Sequence, residues 1–113
     1  MVTDLSYLRK MTDDNPDLLR EIIEIFFKQI YEYTREMQES YDQKNWQSLS
    51  RIAHKAKSSV AIMGMHSLAE MLKEMETLSG EQQDVDKFQQ YICRFTEDCN
   101  EASQELKKIL YNQ

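Results

Sequence analysis

The chain has 113 residues, a net charge of −6, two glycines and one proline. This length predicts one small domain over residues 1–113, and a composition rich in Leu, Met, Glu, Lys and Gln favours helix throughout. The negative charge argues against a nucleic-acid partner, and no apolar run approaches the roughly 18 residues of a membrane span.

The first two predicted helices are separated by a turn signal. Leu5, Leu8 and Met11 share one face of a short first helix, which the segment TDDNPD then interrupts. Asn15 can cap a second helix that has Pro16 in its first turn. This helix is predicted to end near Asp42, and its apolar positions recur every three or four residues: Leu19, Ile22, Ile23, Phe26, Ile30, Tyr33, Met37 and Tyr41.

Three more helices are predicted after the turn DQKN. The third begins near Asn45 or Trp46 and stops at Gly64. The fourth carries an apolar line from Leu68 to Leu78, and the last carries one from Val85 to Ile109. Steps of three and four residues along each helix favour packing at shallow crossing angles. The predicted fold is therefore all-α, an antiparallel four-helix bundle with a short extra N-terminal helix.

The N-terminus and the cysteines predict a cytoplasmic protein. Residues 1–10, MVTDLSYLRK, contain an acid and lack the apolar core of a secretory signal. Cys93 and Cys99 have no partner Cys or His that would complete a metal site. We therefore expect no metal and two buried or unused thiols.

Charge is distributed unevenly along the chain. No Asp or Glu lies within residues 43–69, which contain Lys44, Arg51, Lys55 and Lys57, whereas the remainder holds 10 basic and all 20 acidic residues. A cationic window in an acidic chain predicts a site for an anion.

His54 lies in the middle of this window, on the predicted third helix. At about 100° per residue, it points roughly 130° away from the centre of the apolar face. We therefore expect its imidazole to face solvent. The small residues Ser50, Ser58 and Ala61 would leave a low surface around it, with Arg51 beside it and the apolar Ile62 and Met65 exposed beyond.

This arrangement favours phosphoryl transfer over other chemistry. A neutral imidazole is a good nucleophile near physiological pH, and phosphoryl transfer needs mainly in-line positioning and positive charge on the phosphoryl oxygens. Lys57 and Lys55 could supply that charge. The sequence has no glycine-rich phosphate loop and no acidic cluster beside His54, so a nucleotide or Mg²⁺ would have to come with a partner.

The residues around His54 resemble the histidine-containing phosphotransfer (HPt) domain family. His54-Lys55-Ala56-Lys57-Ser58-Ser59, preceded by Ala53 and followed by Gly64, is similar to the family motif AHKLKGSS with its later glycine. The segments DQKNWQSLSRI and LAEMLKEME are similar to the family's lead-in to this helix and to its next helix.

The resemblance implies a phosphocarrier without kinase activity of its own. His54 would take a phosphoryl group from a receiver domain's phospho-aspartate and pass it to another receiver. Lys57 matches the lysine that steadies the phosphate, and Lys55 matches a more peripheral one. The partners would be receiver domains of a hybrid sensor kinase and of a downstream regulator, which supply Mg²⁺. We expect a monomer, either free-standing or part of a larger kinase.

Two residues from Ala53 to Ser59 depart from the motif, and one alternative stays open. Ala56, where the motif often has Leu, lies on the predicted core face, so we expect only a variation in packing. Ser58 replaces a glycine whose absent side chain lets the receiver approach; serine is small, so we expect function to survive. The alternative is a helical module that binds receivers without being phosphorylated. An autonomous enzyme is disfavoured because no second catalytic group accompanies His54. The other histidine, His66, is predicted to be a solvated or turn-lining residue.

Overall fold

The computed structural model describes residues 1–111, so Asn112 and Gln113, the last two positions of the predicted domain, lie outside the described residues. Those 111 residues contain no β-strand and five α-helices: α1 Ser6–Met11, α2 Pro16–Asp42, α3 Trp46–Ile62, α4 His66–Gly80 and α5 Phe88–Tyr111. The predicted all-α fold is confirmed.

Two asparagines begin the long helices. The Asn15 side chain accepts hydrogen bonds from the backbone N–H groups of Asp17 and Leu18, and Pro16 occupies the first turn of α2. Asn45 accepts a hydrogen bond from the backbone N–H of Ser48 at the start of α3. These side chains satisfy backbone donors that the first helical turn leaves unpaired.

The helices α2 to α5 pack as an antiparallel bundle. Ser40 meets Ser48 across the α2–α3 turn, while Gln29 meets Ser59 farther from it, as antiparallel neighbours require. The apolar faces enclose one continuous core. Its fully buried members include Ile23, Met37, Leu49, Met63, Leu68, Leu72, Met75, Phe88, Phe95 and Leu106.

Gly64 ends α3 through a left-handed turn. Its φ is +75°, and the backbone N–H groups of Gly64 and Met65 donate to the carbonyls of Ala61 and Val60. The turn directs the chain back towards the core, so that the side chain of Met65, the residue after Gly64, is buried there. A Cβ at position 64 would also overlap the backbone of Asp4, so the turn accepts only glycine without rearrangement.

An N-terminal strap, residues 2–5, crosses this turn and reaches α5. The backbone N–H groups of Val2 and Thr3 and the Thr3 hydroxyl all donate to the carboxylate of Glu105, at 2.7, 3.0 and 2.7 Å. The backbone N–H of Asp4 donates to the carbonyl of Met63 at 2.9 Å. The strap therefore joins the α3–α4 turn to α5.

Two sequence expectations about helix ends and faces are wrong. Val85 belongs to a separate 3₁₀ turn, Val85–Lys87, because Asp84 before it adopts a left-handed conformation and α5 begins only at Phe88. Met11 is 49% exposed, because α1 stops there and only Leu5 and Leu8 reach the core.

Within residues 1–111, no helix combines the length and the apolar character needed to cross a bilayer.

Candidate functional site

His54 projects into solvent from the middle of α3. Its side chain is 62% exposed. The neighbouring residues Ala53 and Ala56 are fully buried on the opposite face of the helix. The outward direction expected from helical periodicity is therefore confirmed.

A carboxylate from the next helix holds the imidazole. Glu76 on α4 accepts a hydrogen bond at Oε2 from His54 Nδ1, at 2.9 Å, and one at Oε1 from the ammonium of Lys57, at 3.0 Å. Lys57 and Glu76 are each 28% exposed, so the pair lies at the edge of the α3–α4 groove. One side chain thus binds both the histidine and the cation one turn beyond it.

The charge on Glu76 determines the tautomer of His54. Partial burial would raise the pKa of Glu76, but hydrogen bonds from Lys57 and His54, together with their positive charges, outweigh burial and place it below its ordinary value of 4.5. The carboxylate is therefore ionised near neutral pH and can only accept hydrogen bonds. Nδ1 must carry the proton, which leaves the lone pair of neutral His54 on Nε2.

Ser50 links α3 to α4 by a hydrogen bond next to His54, Lys57 and Glu76. Its hydroxyl donates to the backbone carbonyl of Glu76 at 2.9 Å, and the residue is half-buried. The bond fixes the α4 backbone at the residue whose side chain holds His54. The docking role expected for Ser50 stays a prediction.

In the folded chain, carboxylates from neighbouring helices lie beside the cationic residues of α3. Arg51 and Lys55 are exposed on α3, but they border a shallow surface depression together with Glu36 and Glu39 of α2. Glu76 adds a third carboxylate from the other side. Residues 43–69 contain no acidic residue, but α2 and α4 place acidic side chains on both sides of α3 in the fold.

The expected low surface next to His54 is partly present. Ser58 is exposed, and Ala61 and Ile62 are half-buried at the surface of α3. The expected exposure of Met65 is wrong, because this residue is 3% exposed. The turn at Gly64 folds it back onto the end of α3, so it contributes to the core instead of a docking surface.

Two residues of the site were missed by the sequence reasoning. Glu76 lies 22 residues from His54, and only the pairing of α3 with α4 brings them together. Ile25 on α2 is 50% exposed and lies one turn from Gln29, which contacts Ser59 of α3. Because α2 and α3 are antiparallel and Gln29 meets Ser59, Ile25 lies towards the end of α3 that carries Ile62.

The second histidine has a different setting. His66 is the exposed first residue of α4, as expected for a residue lining the turn. No group of three or more His, Cys, Asp or Glu residues in the described part of the chain has the spacing of a metal site. Cys99 is buried, which raises its thiol pKa to about 12, and Cys93 is exposed.

Comparison with known proteins gives one match. Residues 21–110 match the family model described as the Hpt domain. No curated protein and no solved structure matches the chain significantly. Hpt domains carry phosphoryl groups on histidine in two-component systems, act as phosphocarriers instead of kinases and interact with receiver domains of response regulators. On the strength of a match that spans α2 to α5, with an exposed histidine in the middle of α3, the chain belongs to the Hpt domain family.

Proposed function

We propose that His54 is the phosphoacceptor of a His–Asp phosphorelay. It takes the phosphoryl group from the phospho-aspartate of one receiver domain and gives it to the aspartate of another. The observation that carries this proposal is the exposed imidazole whose Nδ1 lies 2.9 Å from the Glu76 carboxylate; donation from Nδ1 leaves the lone pair of the neutral ring on Nε2.

The proposed reaction needs few groups from this chain. Nε2 attacks the phosphorus, the N–P bond forms, and the P–O bond breaks with its electron pair leaving on the aspartate carboxylate. Charge on the transferred phosphoryl oxygens is offset by the ammonium of Lys57 and, farther out, by Lys55. In this proposal, Mg²⁺ and the acidic pocket that binds it come with the receiver domain.

A receiver would dock on the outer surface of α3. Ser58 and Ala61 keep this surface low beside His54, Ile62 and Ile25 offer apolar contact, and Arg51 offers positive charge to the acidic partner. Small side chains around an exposed nucleophile permit the close approach that in-line transfer needs. Ser58 is the one place where this chain presents a hydroxyl instead of the family's glycine.

The proposal extends to the cellular setting. We infer a cytoplasmic monomer that connects the receiver of a hybrid sensor kinase to that of a downstream regulator. A monomer suits a carrier that presents the same face to two partners in turn.

A label-transfer assay tests the proposal. The chain is incubated with a receiver domain phosphorylated on aspartate in the presence of Mg²⁺, and acid-labile phosphate on the chain is followed over time. We expect the wild type to become labelled and His54→Gln to take no label. His66→Gln is the matched control, because it removes the other exposed histidine, and it should be labelled normally.

The same assay separates the alternative function. A module that binds receivers without being phosphorylated would give no label on the wild type, and its receiver affinity would survive His54→Gln. Full labelling of His54→Gln would contradict the assignment of the phosphoacceptor.

A further inference from the structure

A groove between α2 and α5 lies on the side of the bundle opposite His54. The helices follow one another around the bundle in the order α2, α3, α4, α5, so the α2–α5 side faces away from the α3–α4 side that carries His54 and Glu76. The bundle extends over 44 × 21 × 20 Å. A molecule bound in the groove would therefore be separated from His54 by the width of the bundle.

The groove has an apolar wall on α2 and a low polar wall on α5. Phe27 and Tyr31 lie one turn apart on α2, next to the buried side chain of Ile30. The facing residues of α5 are polar and of small or medium size: Thr96, Asn100 and Ser103. They leave an open groove of about 410 Å³ that follows α2 for about two helical turns.

Side-chain hydrogen bonds join α2 to α5 at the two ends of this groove. At one end Gln38 Nε2 donates to Gln89 at 3.4 Å, and at the other the Tyr111 hydroxyl donates to Glu24 at 3.4 Å. Between these two pairs, no hydrogen bond within residues 1–111 connects the helices. Tyr31 lies in this unbridged part and is 73% exposed, so its aromatic ring is available to another molecule.

The groove is cationic, although the chain carries a net charge of −6. Its lining includes two basic residues, Arg35 and Lys107, and no Asp or Glu. The ammonium of Lys107 lies 5.7 Å from the centre of the Phe27 ring, at one end of the groove. Arg35 lies at the other end, eight residues from Phe27 along α2, which is a rise of about 12 Å. An apolar floor between two cations favours a partner with acidic residues about two helical turns apart.

We propose that this groove binds an acidic amphipathic helix of a partner protein. Apolar side chains three and four residues apart on that helix cover Ile30 and Tyr31, and its carboxylates meet Lys107 and Arg35. Arg35 already pairs with Glu39 at 3.6 Å, but both side chains are exposed, so the exchange of one carboxylate for another costs little. The inference goes beyond phosphoryl transfer, because it gives the carrier an anchoring surface that leaves His54 accessible.

A peptide titration followed by NMR tests the proposal. The chain is labelled with ¹⁵N and mixed with a synthetic helix of about 16 residues, which has leucines three and four positions apart and glutamates about two turns apart. We expect the amide signals of residues 27–35 and 96–107 to shift and that of His54 to stay in place. The same peptide with lysine in place of each glutamate should bind at least about 10-fold more weakly, because its charges oppose those of the groove.

Two substitutions separate the apolar contribution from the charged one. Tyr31 and Lys107 are both exposed, so Tyr31→Ala and Lys107→Ala should stay folded, and each should raise the dissociation constant of the acidic peptide about 10-fold. Lys107→Ala should also reduce the preference for the acidic peptide over the lysine peptide. Tyr7→Ala and Lys108→Ala are the matched controls, because they remove an exposed tyrosine and an exposed lysine outside the groove, and both should bind like the wild type.

The contrary outcomes are distinct. Absence of binding, shifts that lie outside the groove, or equal affinity for the two peptides would overturn the proposal. A second copy of the chain is the competing occupant: if sedimentation shows a dimer that Tyr31→Ala dissociates, the assignment to a different partner is wrong.

Labelling of His54 provides a readout of the separation between the two surfaces. Transfer from a phosphorylated receiver should proceed at the same rate with and without the acidic peptide, and a peptide that blocks labelling would contradict the separation. A wild type that takes no label would contradict the proposed function alone, because the peptide titration does not involve phosphorylation.

Discussion

Two glutamates on neighbouring helices of the bundle each gather hydrogen-bond donors from another part of the chain. Glu105 on α5 binds the N-terminal strap through two backbone N–H groups and the buried Thr3 hydroxyl. Glu76 on α4 binds His54 and Lys57, two side chains with chemistry of their own. In both cases burial opposes ionisation, hydrogen bonds to the carboxylate outweigh it, and the pKa falls below 4.5.

The difference lies in what each carboxylate holds. The partners of Glu105 are mainly backbone groups, and their hydrogen bonds attach the N-terminal strap to α5. The partners of Glu76 are a nucleophile and a cation at the surface, so ordering them prepares a reaction. A carboxylate that accepts several hydrogen bonds thus stabilises the fold at Glu105 and, in the proposed function, orients reacting groups at Glu76. Substitutions should separate the two: one set lowers stability, and the other lowers transfer rate.

The largest effect on stability is expected at the turn that the strap covers. Gly64→Ala introduces a Cβ that overlaps the Asp4 backbone at a φ of +75°. Strain of this kind costs about 1–3 kcal/mol, and displacement of the strap adds to it. The measurement is the free energy of unfolding in urea. Gly80→Ala is the matched control, because its Cβ would meet only the Ser50 hydroxyl at 3.4 Å; equal losses for the two variants would contradict the role assigned to the turn.

Glu105→Gln should have the second-largest effect on stability. We expect it to lower the free energy of unfolding by about 2 kcal/mol at neutral pH, because hydrogen bonds to a charged group contribute more than hydrogen bonds between neutral groups. Because the folded-state pKa of Glu105 lies below the ordinary 4.5, its stabilising effect is fully present above pH 4.5 and disappears as pH falls through the folded-state value. The difference in unfolding free energy between wild type and variant should therefore shrink below pH 4.5. A difference that stays constant down to pH 2 would show that the charge of Glu105 is irrelevant.

Lys57→Ala should lower the rate of phosphoryl transfer and leave the stability of the fold nearly unchanged. We expect a roughly 10-fold slower transfer from a phosphorylated receiver, because a cation near the phosphoryl oxygens is lost. Stability should change by less than about 1 kcal/mol, as is usual for ion pairs at the surface. Lys108→Ala is the control, with the same charge change at an exposed position on α5, away from His54. Equal transfer rates for Lys57→Ala and wild type would refute the role of Lys57.

Ser58→Gly should give the smallest effect. Ser58 is exposed, so transfer should change by less than about threefold, the equivalent of the half kcal/mol typical of surface substitutions. Replacing serine by glycine in mid-helix should lower the free energy of unfolding by about 0.5 kcal/mol or less, because serine lies between alanine and glycine in helix propensity. A change of more than 10-fold in transfer rate with one receiver but not another would instead make Ser58 a determinant of partner choice.

Local rules predicted most of the fold. The spacing of apolar residues located the bodies of α2, α3 and α4, and the cap at Asn15 and the stop at Gly64 follow from the chemistry of single positions. The same helical periodicity placed His54 on the outer face. These features depend on residues close in sequence, which is why a single sequence is enough to predict them.

Contacts between elements were harder to predict. The strap was missed because Thr3 and Glu105 are 102 residues apart and nothing in their local sequence requires them to meet. Met65 was misplaced because the turn at Gly64 reverses the direction of its side chain. Glu76 was within reach of sequence reasoning: His54 lies ten residues before Gly64 and Glu76 twelve after it, so an antiparallel pair around that glycine brings the two together.

The most direct measurement of the central claim identifies the atom that carries phosphate after the chain has reacted with a phosphorylated receiver. Phosphorus–nitrogen NMR of the labelled chain should show a single N–P bond at Nε2 of His54, with the proton still on Nδ1. Phosphate on Nδ1 of His54, on His66 or on no residue of the chain would contradict the account.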